Sequence, residues 1–359
     1  MSFLILIAIV LFCIAAGQIM KIFELSSAMR GEKQYVITDK DNRLNGRLML
    51  VFLIAFFGFC VWQYVKYEDK LLPVAASEEG VELDWLLNFN FIWVVIPVFF
   101  VTNFFLFWFA YKYYGRTGQK AKYYPEDHRL ELLWTIVPGI VLAVIIFLGL
   151  KTWNSITREP DGEEYMLIEL YPKQFDWTAR YSGDDNTLGF ANYKFITANN
   201  PLGVDSIDEK SFDDFLVNPG GELHLPKGKR VKFVFRSRDV IHSAYFPHFR
   251  QQMNCVPGMT TQLHFVPTIT TDSMRMITND PVFDYVLICN KICGASHYNM
   301  QLKIVIDEPG KFNDWYKENK TKTVFAGKAK LEKKEEEKTE VVQVDSTKKD
   351  SSAVKEEHK

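Results

Sequence analysis

Cys289-Asn290-Lys291-Ile292-Cys293-Gly294-Ala295-Ser296-His297-Tyr298-Asn299-Met300 places two thiols, an imidazole and a thioether within one short loop. Softness decides what such a loop binds. Thiolate and thioether select copper among the first-row metals, and imidazole suits copper equally well. Zinc takes cysteine and histidine, but methionine lies outside its usual ligand set. A disulfide between Cys289 and Cys293, or a chance cluster of core residues, would account for the thiols. Neither accounts for the histidine four residues after the second cysteine and the methionine three further on. The loop reads as a metal site, copper ahead of zinc, and the rest of the chain reads as the frame that holds and serves it.

The chain has 359 residues, enough for more than one domain. Its formal net charge of −2 gives no electrostatic case for a nucleic-acid partner. Crossing a bilayer takes about 20 mostly apolar residues. Phe3–Met20, Leu48–Val65, Phe91–Tyr111 and Leu132–Leu150 each come close to that length. The first run lacks the basic flank and small-residue cleavage site of a signal peptide, so it reads as a retained helix. The loop after it carries Lys21, Arg30, Lys33, Lys40, Arg43 and Arg47, and the loop after the third run carries Lys112, Arg116, Lys120, Lys122 and Arg129. The loop between the second and third runs has few cations and a group of acids, Glu78, Glu79, Glu82 and Asp84. Positive-inside bias then puts the basic loops in the cytoplasm and everything after Leu150 outside, in the periplasm of a bacterial cell.

Beyond the last span the pattern is β. Short runs at Tyr165–Leu170, Glu222–Leu225, Arg230–Arg236, Thr261–Val266, Arg275–Thr278 and Gln301–Ile306 are separated by Gly, Pro, Asn and Asp. Such spacing predicts a β-sandwich or barrel, and the alternation in Arg230–Arg236 predicts one buried and one wet face. A short closing helix is expected over Lys311–Lys320. The Lys/Glu-rich tail after it cannot bury enough apolar surface to offset ordering and is expected to be disordered or a solvated helix. No Cys-x-x-Cys-His is present, so no c-type haem is expected on this chain. Cys255 reads as a buried, inert thiol. A second ligand for the loop is sought upstream, and His242, in Asp239-Val240-Ile241-His242-Ser243 just past an alternating strand, is the candidate. His224, His248 and His264 have no such setting and read as structural.

These motifs resemble subunit II of the haem–copper cytochrome c oxidases. The family's ligand loop, Cys-x-Glu-Ile-Cys-Gly-x-x-His-x-x-Met, and its Asp-Val-x-His-Ser both stand here with matching internal spacing, and Pro247 and Val256-Pro257-Gly258 match between them. Glu131-Leu132-Leu133-Trp134-Thr135-Ile136-Val137-Pro138 looks like the start of the family's second membrane helix. The resemblance covers roughly Phe91 to Lys320. It implies a transmembrane helical hairpin, here with two extra N-terminal spans, followed by a cupredoxin-like Greek-key β-sandwich. The implied domains are 1–70 for the extra spans, 71–151 for the hairpin, 152–320 for the periplasmic copper domain and 321–359 for the tail.

By the same resemblance, a dinuclear copper centre, CuA, is held by His242, Cys289, Cys293, His297, Met300 and the backbone carbonyl of Lys291. It relays electrons from a cytochrome c to haem in a partner, the catalytic subunit I, where O2 is reduced to water. The chain alone has no catalytic centre; it serves as an integral subunit of the inner membrane, alongside other oxidase subunits. Glu131 matches an acid at the mouth of a proton-uptake channel. Gln174-Phe175-Asp176-Trp177 resembles the family's Gln-Trp-x-Trp, with Phe175 at the electron-entry position and Trp177 at the second tryptophan. A copper-free quinol-oxidase subunit of the same fold would lack the ligand residues. A structural zinc protein would not need Met300, and the copper domain of a nitrous-oxide-type reductase would not need the hairpin.

Two departures carry information. Lys291 replaces a glutamate whose side chain also binds magnesium in the family, and an ammonium cannot ligate an ion that wants oxygen. This chain is therefore expected to supply no side-chain magnesium ligand. Phe175 removes the usual indole, and Arg238 stands where the family often carries an acid. Both point to a different donor, such as a cytochrome held at the membrane in a supercomplex.

Overall fold

The computed structural model describes residues 2–29, 37–160, 162, 164–321 and 323. The expected tail disorder falls almost wholly outside them. The chain divides into two compact units, 1–69 with 94–129, and 70–93 with 130–359.

The first unit is helical. α1 spans Ser2–Met29 and α2 spans Asp39–Tyr67, followed in the second unit by α3, Glu78–Asn90. A π-helical turn over Phe91–Val95 joins α3 to α4, Ile96–Lys112, back in the first unit. α2 begins with a capping box, in which Thr38 and Asp41 each bond the other's backbone N–H. Within this unit α2 and α4 pack through phenylalanines, Phe52 on Phe107 at 5.1 Å and Phe57 edge-on to Phe100 at 4.6 Å. The loop after α4 returns to the start of α2, where Asp39 accepts from the backbone N–H and hydroxyl of Thr117.

Among the described residues, three helical stretches are long and apolar enough to cross a membrane: Asp39–Lys70, Glu78–Lys112 and His128–Thr157. They contain the second, third and fourth apolar runs. The first run is helical as well, within α1, but several of its side chains lie outside the described residues.

The second unit holds α3, α5 (His128–Thr157) and the sandwich. Its strands are β1 Tyr165–Lys173, β2 Asp176–Tyr181, β3 Phe215–Val217, β4 Glu222–Pro226, β5 Arg230–Phe235, β6 His242–Phe246, β7 Gln251–Cys255, β8 Thr261–Phe265, β9 Tyr285–Cys289 and β10 Gln301–Asp307. They form two sheets, β3-β2-β1-β5-β8 and β4-β10-β9-β6-β7. The core between them is aromatic, with Phe233, Phe246, Phe249, Phe265, Tyr285 and Trp177 all buried. α3 is tied to the sandwich by charge. Glu79 accepts from Arg230 at 2.6 Å and from the Val266 N–H at 2.9 Å, and Arg250 grips Asp84 with two nitrogens at 2.8 and 3.0 Å.

Two expectations are corrected. Arg275–Thr278 is not a strand but the end of helix α6, Thr271–Thr278. Capping outweighs β-propensity here. Thr270 accepts from the Ser273 N–H, Met274 turns into the core, and Asn279 closes the helix in the left-handed conformation at φ 51°. The second face of β5 is not wet at Lys232, which is buried with its ammonium held by both oxygens of Glu159. α7, Pro309–Asn319, is the expected closing helix.

Candidate metal centre

The ligand loop is the connection from β9 to β10. Cys289 ends β9, Met300 immediately precedes β10, and the Cys289 N–H donates to the Met300 carbonyl at 3.0 Å, closing the loop at its base. β6 lies antiparallel beside β9, with Ala244 opposite Cys289. This pairing delivers His242, the first residue of β6, against the loop, and the Asn290 N–H donates to the Ser243 carbonyl at 3.0 Å.

The donor atoms form a continuous cluster. His242 Nδ1 lies 3.8 Å from Cys289 Sγ, and the two Sγ atoms are 3.8 Å apart. Cys293 Sγ lies 3.6 Å from His297 Nδ1 and 3.8 Å from Met300 Sδ. The carbonyl oxygen of Lys291 is 3.3 Å from Cys289 Sγ. A disulfide would need about 2.05 Å between the sulfurs; both cysteines are free thiols. The six donor atoms named from sequence thus lie together, and among the described residues His242, Cys289 and Cys293 have ligand atoms within 4.8 Å of one another, the spacing of a metal-binding trio. Two soft thiols, a thioether and two imidazoles suit copper better than zinc.

Electrostatics favour one thiolate over the other. Burial opposes the charge on Cys289, but His242, the backbone at Ser243 and Lys291, and His297 together hold its pKa below the ordinary thiol value. Burial and the adjacent Cys289 charge push Cys293 up. His242 is raised although burial works against its charge, because Cys289 and Asp239 both favour the imidazolium.

Asp239, Gln174 and Gly294 have roles that the motifs quote without explaining. Asp239 Oδ1 lies 2.8 Å from His242 Nε2, leaving Nδ1 turned to the sulfurs, and Asp239 Oδ2 accepts from the Gln174 N–H at 2.7 Å. The Gln174 amide donates to the Cys293 carbonyl at 2.5 Å. Gly294, at φ 140°, has no room for a side chain. A Cβ there would lie 2.8 Å from Gln174 Nε2 and from two ring carbons of Phe175. A carboxylate that fixes a ligating imidazole is worth 10- to 100-fold in metal affinity. Asp239→Ala should therefore weaken copper binding by about that factor while leaving the fold intact, as a competition titration with a calibrated chelator would read.

Phe175 is half-buried against the loop. Trp177 is 1% exposed, with its ring centroid 6.4 Å from that of His242 and its Nε1 3.5 Å from the Met300 carbonyl, so it is at once core and neighbour of the cluster. Glu131 is exposed in the first turn of α5, roughly 40 Å of helix from Thr157 at the other end. It is not brought near the cluster. Cys255 is buried, and burial pushes its thiol up to about 12. The three histidines read as structural from the sequence are engaged away from the cluster. His224 meets Asp307 at 2.6 Å, His264 meets Arg230 at 2.9 Å, and His248 sits edge-on to Phe283 and Tyr285, where burial pulls it down to about 4.

The family model for the cytochrome c oxidase subunit II transmembrane domain matches residues 62–152, and that for the periplasmic domain matches residues 166–308. An alternative cytochrome c oxidase subunit 2 from Bradyrhizobium diazoefficiens is 31% identical over 281 residues, covering 78% of this chain and 91% of the relative. A cytochrome c oxidase subunit 2 from Thermostichus vulcanus is 25% identical over 282 residues, covering 71% and 80%. The crystal structure of the periplasmic domain of subunit II of a Bradyrhizobium japonicum cytochrome oxidase aligns with a TM-score of 0.31 at 20% identity, over 46% of this chain and 99% of that one. With its apolar helices, its β-sandwich and family matches across both, the chain belongs to the cytochrome c oxidase subunit II family, membrane subunits of haem–copper oxidases with a periplasmic C-terminal domain.

Proposed function

We propose that this chain is the CuA-bearing electron relay of its oxidase, taking electrons from a cytochrome c donor and passing them to haem in the catalytic subunit I, where O2 is reduced to water. The observation that carries the reading is the single cluster of donors from His242, Cys289, Lys291, Cys293, His297 and Met300, at neighbour distances of 3.3–3.8 Å. A bound copper pair would supply a one-electron store. The chain's own residues do the rest. Two thiols between the imidazoles allow each sulfur to be shared, Asp239 fixes His242, and the base of the loop is closed by backbone hydrogen bonds. A site held this rigidly need rearrange little when its charge changes by one.

On this reading Phe175 and Trp177 form the entry side, Phe175 at the surface and Trp177 beneath it against His242. Glu131 serves proton uptake at the cytoplasmic end of α5. The chain is multi-pass in the inner membrane, with α1 and α2 as the two extra spans, and the donor is a cytochrome held beside the oxidase in a supercomplex. Copper analysis of the purified complex, with and without Cys289 and Cys293, tests the relay.

Lys291 separates the copper role from a magnesium role. Its carbonyl faces Cys289 while its side chain is exposed. A carbonyl ligand survives any side chain, whereas an ammonium offers magnesium no oxygen. The expected result is that Lys291→Ala changes neither copper nor magnesium content of the intact complex. Loss of either metal on that substitution would contradict this, and magnesium ligated at the subunit junction by another side chain of this chain would contradict the expectation that the chain supplies no side-chain magnesium ligand.

A further inference from the structure

A cleft of about 210 Å³ opens on the sandwich surface where Lys173 and Arg238 precede Gln174 and Asp239 in the chain. Tyr171, Pro201, Leu202 and Pro219 give it mostly apolar walls, and the two charged residues that line it, Lys173 and Arg238, are both cations. Lys173 reaches Asp176 only loosely, at 3.8 Å, with both side chains well exposed. Arg238 is exposed, and among the described residues its side chain has no ion pair. The backbone N–H of Arg238 donates to the Pro172 carbonyl at 3.1 Å, which holds the two cations on neighbouring stretches of chain.

Each cation adjoins a residue that grips the ligand cluster. Gln174 follows Lys173 and donates to the Cys293 carbonyl; Asp239 follows Arg238 and holds His242. The cleft thus stands at the outer end of two short paths, one to each side of the cluster. Of the acids nearest these paths, Asp239 is engaged by His242 and two backbone N–H groups, and Asp176, exposed and 3.8 Å from Lys173, does not line the cleft. What the cleft offers a visitor is positive charge on an apolar floor.

We propose that this cleft is where the electron donor docks, and that the donor presents an acidic side chain to Lys173 and Arg238, so that its contact face is negative. The proposal rests on reading the cluster as an electron-accepting copper centre. Docking serves a one-electron transfer, in which the donor is oxidised by one electron and the centre reduced by one, with no bond broken and no proton moved. Charge at such a rim acts mainly on the encounter rate and its salt dependence.

The test uses the intact oxidase complex and two reduced cytochromes c as probes, one of net negative and one of net positive charge. Combining Lys173→Glu with Arg238→Glu should lower kcat/KM for the acidic cytochrome by about tenfold or more at low ionic strength, and raise it for the basic one. Arg238→Gln should fall between wild type and the double variant, and copper content should match wild type throughout. Added salt should slow the wild-type reaction with the acidic cytochrome and leave the double variant nearly unaffected. Unchanged kcat/KM in the double variant, or a wild type that prefers the basic cytochrome in a salt-suppressed reaction, overturns the proposal. Copper-free wild-type complex that still shows the charge-dependent turnover would instead remove the copper reading and leave the docking site standing.

Discussion

Cys293→Ser is expected to abolish the copper pair while leaving the fold in place, and Cys289→Ser to do the same. Cys289 touches His242, the Lys291 carbonyl and Cys293, and Cys293 touches His297 and Met300, so each thiol joins the two halves of the donor set. A serine hydroxyl is nearly the right size but is a hard, neutral oxygen at neutral pH, and copper in this setting selects soft sulfur. Removing a ligand should cost more than the 10- to 100-fold of a lost outer-shell partner. Affinity should therefore fall by more than about 100-fold, to one copper or none per chain. The folding cost should be small, since each serine fills almost the same buried space. The check is copper analysis beside a thermal melt of the metal-free protein. A variant that keeps a full copper pair would contradict the ligand assignment, and one that unfolds would show the thiols to be structural.

Arg180→Met should be the most damaging single change to the sandwich itself. Arg180 is 1% exposed in β2 and pairs with Glu169 of β1 at 3.2 Å and with Asp214 at 2.7 Å. It also donates to the Gly189 carbonyl at 2.5 Å, so one guanidinium ties the long excursion between β2 and β3 to the sheet. Truncating it leaves two carboxylates buried, Glu169 still partnered by Arg236 and Asp214 by one backbone N–H. Removing one member of a buried ion pair costs about 3–5 kcal/mol.

The loss should carry a pH signature. Burial raises Asp214 to about 6 even against the pull of Arg180. A carboxyl whose folded pKa lies above its unfolded value of 3.8 lends stability below that value and loses it as pH rises through about 6. Without Arg180 the folded pKa climbs further, so the deficit should shrink on acidification. Denaturant melts at pH 5 and pH 8 read this. Adding Asp214→Asn to Arg180→Met should recover part of the loss near neutral pH; no recovery would place the damage in packing rather than in charge.

How much of this was legible in the sequence depends on whether a feature is local. The ligand loop is local, so Cys289, Cys293, His297 and Met300 declare themselves by spacing. His242 lies far from the loop in sequence, and it is the β6–β9 pairing that sets it against Cys289. β9 itself was missed. Tyr285-Val286-Leu287-Ile288-Cys289 is apolar at every position, so the alternation of its buried and half-buried residues leaves no polar mark. α6 was misread because Met276-Ile277-Thr278 looks like a strand, while the deciding signals are single caps at Thr270 and Asn279. The buried ion network was invisible for a different reason. Glu169, Arg180, Asp214 and Arg236 are far apart in sequence, and only the β1–β2 and β1–β5 registers bring them together. Asp239 and Gln174 stood inside recognisable motifs, but their hydrogen bonds to His242 and to the Cys293 carbonyl could be assigned only with the fold in hand.

The central claim is that one cluster of this chain holds two coppers sharing an electron. Electron paramagnetic resonance of the purified, copper-loaded chain, with copper counted on the same sample, addresses it most directly. The expected result is a pair of coppers per chain and a spectrum in which one unpaired electron couples equally to both nuclei, lost in Cys289→Ser and in Cys293→Ser. A spectrum of isolated single coppers, or a site filled by zinc alone, would contradict it.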